Sequence, residues 1–281
     1  MICCDFDFVC ITETWLSSSI FDSEFCPDHF QVIRSDRNFE KMNVSKGGGV
    51  LLAATCEYTV SQIDLQSRGF GSLQFTDLVC VKCSAASFTI YIFVIYIQPK
   101  ANVEEYELLF HLISATTELY NQRVLLIGDF NISNYQYSSS GFVTGNSPLS
   151  SLYNFLYFCD YRQFNNIINA NGWCLDLVIS GIHCLVEKAS DSLVNEDLHH
   201  PSLLITIKRQ KPRQKSINNN RSAHKQWNFR RADYPGLYKY LTDSNWEFLN
   251  NINDVNQACS LFYDQINMAL ELHVPKTHRL R

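Results

Sequence analysis

Val124-Leu125-Leu126-Ile127-Gly128-Asp129-Phe130-Asn131 is the stretch on which the reading of this chain turns. Four large aliphatic residues in a row make a buried strand, and the glycine then opens a turn. A carboxylate just past the end of a buried strand is costly to keep there unless something uses its charge. The same order, apolar run then acid, recurs near the start, where Phe8-Val9-Cys10-Ile11 leads into Thr12-Glu13-Thr14-Trp15. A third polar segment, Asp197-Leu198-His199-His200-Pro201, stands before the apolar run at 202–207. Hard divalent cations take carboxylate oxygens, and phosphoryl chemistry needs positive charge where the transition state becomes more negative. The three segments therefore read as parts of one phosphodiester-cutting site.

Outward from these anchors, short apolar runs alternate with turn-rich segments. They predict strands near 8–11, 49–54, 78–83, 88–97, 124–128, 174–179 and 202–207. Tyr106, Leu109, Phe110, Ile113 and Thr117 recur at helical spacing and predict an amphipathic helix over 103–120, with a weaker candidate over 150–161. Many strands with few helices between them predict an α/β sandwich of two packed sheets with helices outside. Residues 88–97 are the most apolar run, too short for the roughly 20 residues a membrane helix needs, so they read as a central strand. No membrane partner is expected. Gly47-Gly48-Gly49 lacks the lysine-bearing ending and following helix of a phosphate loop and reads as a tight turn into a strand.

Charge is unevenly distributed. Residues 1–207 carry 10 Lys and Arg against 22 Asp and Glu, and residues 208–281 carry 13 against 6. The run from 208 to 225 holds seven basic residues and no acidic one, among Asn, Gln and Ser. It reads as a basic linker; Lys208, Arg209, Lys211, Arg213 and Lys215 are its candidates for nucleic-acid phosphates, and a solvated linker is the alternative. Beyond it, 226–281 reads as a small helical segment, with one helix opening at Trp227 and running through Leu241 and a second over 254–274 before Pro275. The 11 cysteines follow no framework spacing and read as reduced hydrophobes of an intracellular protein. Cys80 and Cys83 form a lone CxxC whose side chains would point to opposite faces of a strand.

Further segments fall in a fixed order with the anchors. Residues 8–16 read FVCITETWL, 47–52 GGGVLL, 96–99 YIQP, 128–131 GDFN and 175–180 LDLVIS. Over residues 1–207 this order resembles the endonuclease/exonuclease/phosphatase superfamily, and in particular the endonuclease domain of non-LTR (LINE-type) retrotransposon polyproteins. The resemblance implies a four-layer sandwich with its site where strand ends from both sheets converge. It implies that Glu13 holds a magnesium ion, with manganese able to substitute. Asp129 would orient or deprotonate the attacking water, Asn131 and Tyr96 would contact the phosphate, and Asp176 and His199 would form a carboxylate–imidazole pair. For Asp129 and Asn131 an Asx-turn is the structural alternative.

The chain departs from the family pattern twice. The family's last motif places Asp directly before the His, two residues from that His to a Pro. Here Leu198 takes the Asp position and the acid is Asp197, which from a loop could still reach the site, and under a different register His200 could substitute for His199. The family also begins with a strand bearing an Asn or Asp well before the glutamate, whereas Glu13 is preceded by twelve residues, so the resemblance implies an N-terminally truncated domain. Residues 226–281 resemble the segment leading into the reverse transcriptase of these elements. The expected function is nicking of target DNA in the nucleus, with element RNA a partner of the longer protein. An inactive remnant that binds nucleic acid, or a phosphatase of the same superfamily, are the alternatives.

Overall fold

The structure, a computed structural model, describes residues 6–37, 47–86, 88–116, 119, 122–132, 135, 147–190, 192–193, 197–207, 225–227, 229–252 and 254–278. The chain divides into two compact units, residues 1–212 and 213–281.

In the first unit a six-stranded sheet is the central layer. Its strands are β4 (Thr59–Gln62), β5 (Thr76–Ala85), β6 (Phe88–Ile97), β7 (Val124–Asp129), β8 (Arg162–Gln163) and β9 (Asp176–Ser180), in the order β4-β5-β6-β7-β9-β8. Only β6 and β7 run parallel. A parallel pair needs a crossover, and α1 (Val103–Ala115) supplies it. The smaller sheet has the order β1-β3-β2, from β1 (Phe8–Thr12), β2 (Phe30–Ser35) and β3 (Val50–Thr55), all antiparallel. A further pair joins β10 (Cys184–Lys188) to β11 (Leu203–Ile207).

Alternation along the strands sorts the core into layers. Phe93, Ile95, Leu126 and Ile179 face α1 and α2 (Pro148–Cys159), packing on Tyr106, Leu109, Phe110, Leu152 and Phe155. Val79, Val94, Ile127 and Val178 face the other way and pack on Val50, Leu52 and Ala54 of β3. The far face of the small sheet, Val9, Leu51 and Ala53, is covered by Phe25, Cys26 and Leu16 from the 3-10-containing connection between β1 and β2. Cys80 and Cys83 fall in opposite layers, as their spacing predicts. The described cysteines are free, and no described helix is long and apolar enough to cross a membrane.

Four strands of this unit lie outside those expected from apolar runs: β2, β4, β8 and β10. β2 shows why. Its Gln31 and Arg34 break the apolar run, yet both find partners, Gln31 on the Tyr58 carbonyl (2.9 Å) and Arg34 on the Ile20 carbonyl (2.7 Å). The helix expected to reach 120 ends at Ala115, and Thr117 lies outside the described residues.

The second unit holds a short antiparallel pair, β12 (Lys225–Trp227) with β13 (Lys276–His278), and two helices, α3 (Tyr234–Asp243) and α4 (Val255–His273). Trp227 closes a strand instead of opening a helix, a correction to the sequence reading. α3 starts later because Asp233 caps it, accepting from the Gly236 amide at 3.1 Å, with Pro235 in its first turn. Leu237, Ala269 and Val274 form its small core.

Candidate active site

The inter-sheet face of the large sheet is built in rows. Directly paired residues give Val81-Ile92-Leu125-Ser180, then Val79-Val94-Ile127-Val178, then Asp77-Tyr96-Asp129-Asp176. Side chains in one row share a face. The face is thus largely apolar until its last row, which carries three carboxylates and a phenol at the open end of the space between the sheets. Burying such a row demands partners for each charge.

Asp129 ends β7 and is 2 % exposed. Gly128 permits this position: its φ is +134°, and a Cβ there would lie 1.9 Å from the Ile95 carbonyl oxygen. The chain then turns sharply, with Asn131 in the left-handed region at φ +50°. The Asn131 amide donates to Asp129 Oδ1 (2.9 Å), an Asx-turn, and its Nδ2 donates to Asp129 Oδ2 (2.7 Å) and the Ile97 carbonyl (2.6 Å). Asn131 therefore reaches Asp129 by folding back, in the Asx-turn that the sequence offered as the structural alternative. Phe130 between them is held by the Tyr106 hydroxyl, which donates to its carbonyl at 2.8 Å, and by its own amide on Leu175 (3.0 Å). Burial first, then the Asp176 carboxylate, pushes Asp129 up to about 7.

The imidazole of this site is His200. Its Nδ1 lies 2.9 Å from Asp176 Oδ2 and its Nε2 3.8 Å from Asp129 Oδ2. The hydrogen bond to Asp176 is the main cause that raises it to about 9, against the opposing effect of burial. The expected pairing of Asp176 with His199 is corrected here. Asp197 Oδ1 accepts from the His199 amide at 2.7 Å, and the turn this makes sends the two rings apart. His199 Nδ1 sits 3.2 Å from Asn171 Nδ2, and its carbonyl accepts from Asn169 (3.0 Å). Asp197 thus serves as the cap of this turn, adding its field to His200. Among the described residues, Asp129, Asp176 and His200 could hold a metal ion, each offering an atom within 4.8 Å of the others.

Glu13 is outside that group but beside it. It follows β1 with φ +53°, accepts from the Trp15 indole Nε1 at 3.0 Å, and bonds the Tyr96 phenol. Burial and then this bond to Glu13 push the Tyr96 phenol above its ordinary range.

Sequence reasoning missed the other end of the row. Asp77 accepts from Arg37 Nε (2.9 Å) and Nη2 and from the Gly49 amide (3.0 Å). The buried Arg37 guanidinium also lies over the Tyr96 ring, 5.2 Å from its centroid. A Cβ on Gly48 would meet Arg37 Cζ at 2.0 Å, so the glycine run is a seat for this side chain as well as a turn. The spacing of Arg37 before three glycines carried that signal only if the glycines were read as space. Lys208, Arg209, Lys211, Arg213 and Lys215 lie outside the described residues.

No protein-family profile matches the chain, and no curated protein does. Among solved structures it is similar to the endonuclease domain of TRAS1, a telomere-specific non-LTR retrotransposon, at 14 % identity and a TM-score of 0.44, covering 65 % of this chain and 82 % of that one. It is similar to the human Nocturnin catalytic domain at 12 % identity and a TM-score of 0.44, covering 71 % and 79 %. A Bacteroides thetaiotaomicron endonuclease/exonuclease/phosphatase family protein stands at 14 % and 0.43, covering 66 % and 72 %.

Proposed function

We propose that the first unit is a divalent-metal-dependent phosphodiesterase, a DNA endonuclease of the non-LTR retrotransposon kind that nicks one strand and leaves a 3′-hydroxyl for reverse transcription. A chromosomal target would put its work in the nucleus. The observation that supports this best is the convergence of Asp129, Asp176 and His200 at the end of an otherwise largely apolar face.

The donor set fits a hard cation. Asp129 is buried and raised to about 7, a carboxylate whose charge Asn131 and His200 compensate only in part, and a cation would restore its ionised form. His200, raised to about 9, holds its proton at neutral pH and would have to release it to join Asp129 and Asp176 as a ligand. Oxygen donors remain, on Asp129, Asp176 and the adjacent Glu13, which favours magnesium with manganese as substitute. Charge growing on the phosphoryl oxygens is what such an ion would neutralise when bound. Asp129 accepts the proton of the attacking water as the water oxygen joins phosphorus and the P–O3′ bond breaks, the leaving 3′ oxygen taking its proton from solvent. Asn131 Nδ2 holds Asp129 in place, and His200 Nε2 donates to a phosphate oxygen while Asp176 fixes its ring.

The test is conversion of supercoiled plasmid to open circles with magnesium. Activity abolished by EDTA and by Asp129→Asn and Glu13→Ala supports the reading. Equal background in parent and variants overturns it.

A further inference from the structure

Trp15 presents an indole that is 51 % exposed beside the polar row. Its placement is not casual. Glu13 and Trp15 both sit in the left-handed region, at φ +53° and +54°, a conformation costing non-glycine residues roughly 1–2 kcal/mol each. Backbone bonds hold them there, Thr14 N to Gly49 O (3.2 Å) and Trp15 N to Gly48 O (2.9 Å). The indole edge is fixed by its bond to Glu13, and about half of the side chain's surface remains exposed next to the carboxylate that bonds Tyr96.

A second exposed indole flanks the row on the Asp176 side. Trp173 is 42 % exposed, three residues before Asp176. Its loop is fastened to the turn that delivers His200: Asn169 bonds Trp173 through backbone and side chain (2.8 and 3.0 Å), and also the His199 carbonyl, while the Ala170 amide donates to the Leu198 carbonyl at 3.1 Å. Leu198, on that turn, is exposed as well.

Cations are scarce by comparison. Residues 1–207 carry 10 Lys and Arg against 22 Asp and Glu, and Arg37, which among the described Lys and Arg residues reaches the row, is tied to Asp77. Both duplex and single strands offer phosphates to cations, but an unpaired strand also offers the faces of its bases, on which aromatic rings stack. We propose that Trp15 and Trp173 are stacking platforms for unpaired nucleobases flanking the scissile phosphate, so that the substrate is a strand unpaired at the cut: single-stranded, gapped or locally melted DNA. This rests on the phosphodiesterase reading above and names its substrate class.

The test uses the full chain and labelled oligonucleotides of one sequence as single strand, gapped duplex and intact duplex, with anisotropy in calcium and cleavage in magnesium. Binding of unpaired DNA at least about tenfold tighter than intact duplex is expected at equal salt. Trp15→Ala should lose about 5- to 150-fold on the unpaired strand, the range for one base–aromatic stack. Trp15→Phe, which keeps a ring but not the bond to Glu13, should stay within about threefold of the parent. Trp173→Ala should show its own loss. Unchanged affinity in both alanine variants, an equal loss in Trp15→Phe and Trp15→Ala, or preference for intact duplex overturns the stacking proposal while leaving any Asp129-dependent cleavage standing. Trp15-dependent binding without cleavage of any substrate would instead support stacking and overturn the nuclease reading.

Discussion

Asp129 binds its proton more tightly in the folded chain than in the unfolded one. Its value rises from 3.8 to about 7, so the folded protein keeps a proton that the unfolded chain releases. Stability from this group is full below about pH 4 and is lost as pH rises through 7. His200 acts in the same direction at higher pH, its share being lost as pH rises through about 9. In EDTA, Asp129→Asn should therefore gain on the parent as pH rises from 5 to 8, by on the order of a few kcal/mol, over a constant loss from its bonds to Asn131. Urea midpoints of the two proteins measure this, and a gap that does not change with pH would refute it. The neighbouring histidines separate by activity: His200→Gln should lose at least about 100-fold in nicking, and His199→Gln should remain within a few fold. The sequence named both rings and the acid Asp176, yet chose the wrong pairing. Counting back from Pro201 fixes a register only on a regular strand, and the Asp197 cap makes this segment a turn.

Elements were legible where burial alone made them. β6 and β7 are apolar on both faces and announce themselves, and α2 carries a Ser147 cap followed by Pro148. What stayed hidden depends on register. Asp77 and Tyr96 are nineteen residues apart in sequence and directly paired across β5 and β6, which no local pattern reveals. The connection from β2 to β3 is legible only in part, because its glycines serve a side chain contributed by Arg37 at the near end of that connection. Arg37→Met would leave the Asp77 carboxylate largely buried without its cation, and should cost about 3–5 kcal/mol in chemical denaturation. Gly48→Ala acts on the same pair from below, by its φ of +76° and by a Cβ inside Arg37. The two changes should not add, since once Arg37 is gone the alanine displaces nothing. Additive losses in the double variant would show that the glycine's role is confined to the backbone.

At the scale of the whole chain, charge divides the work. The first unit is acidic, and a polyanion approaching it gains little from its field. The division between the two units, after Pro212, falls inside the run from 208 to 225 that carries seven basic residues. Composition made that shift readable, since like charges, Asn and Ser in sequence have no apolar face to bury. If the first unit selects DNA by stacking, affinity from phosphate contacts must come largely from elsewhere, and this run is the richest source. Replacing Lys208, Arg209, Lys211, Arg213 and Lys215 by Gln should then lower the slope of log affinity against log salt by up to about 3.5 on single-stranded DNA, at roughly 0.7 per phosphate contact. Affinity should fall alike on every sequence, because phosphates carry no base information. Cleavage at saturating DNA should stay within a few fold of the parent, the Asp129–Asp176–His200 cluster being untouched. Titrations across a salt series, on the same oligonucleotides used for Trp15, separate the two contributions: the tryptophan variant should shift the line at constant slope, and the glutamine variant should flatten it. A slope unchanged by the five replacements would make the run a solvated linker and leave the first unit to hold its substrate alone.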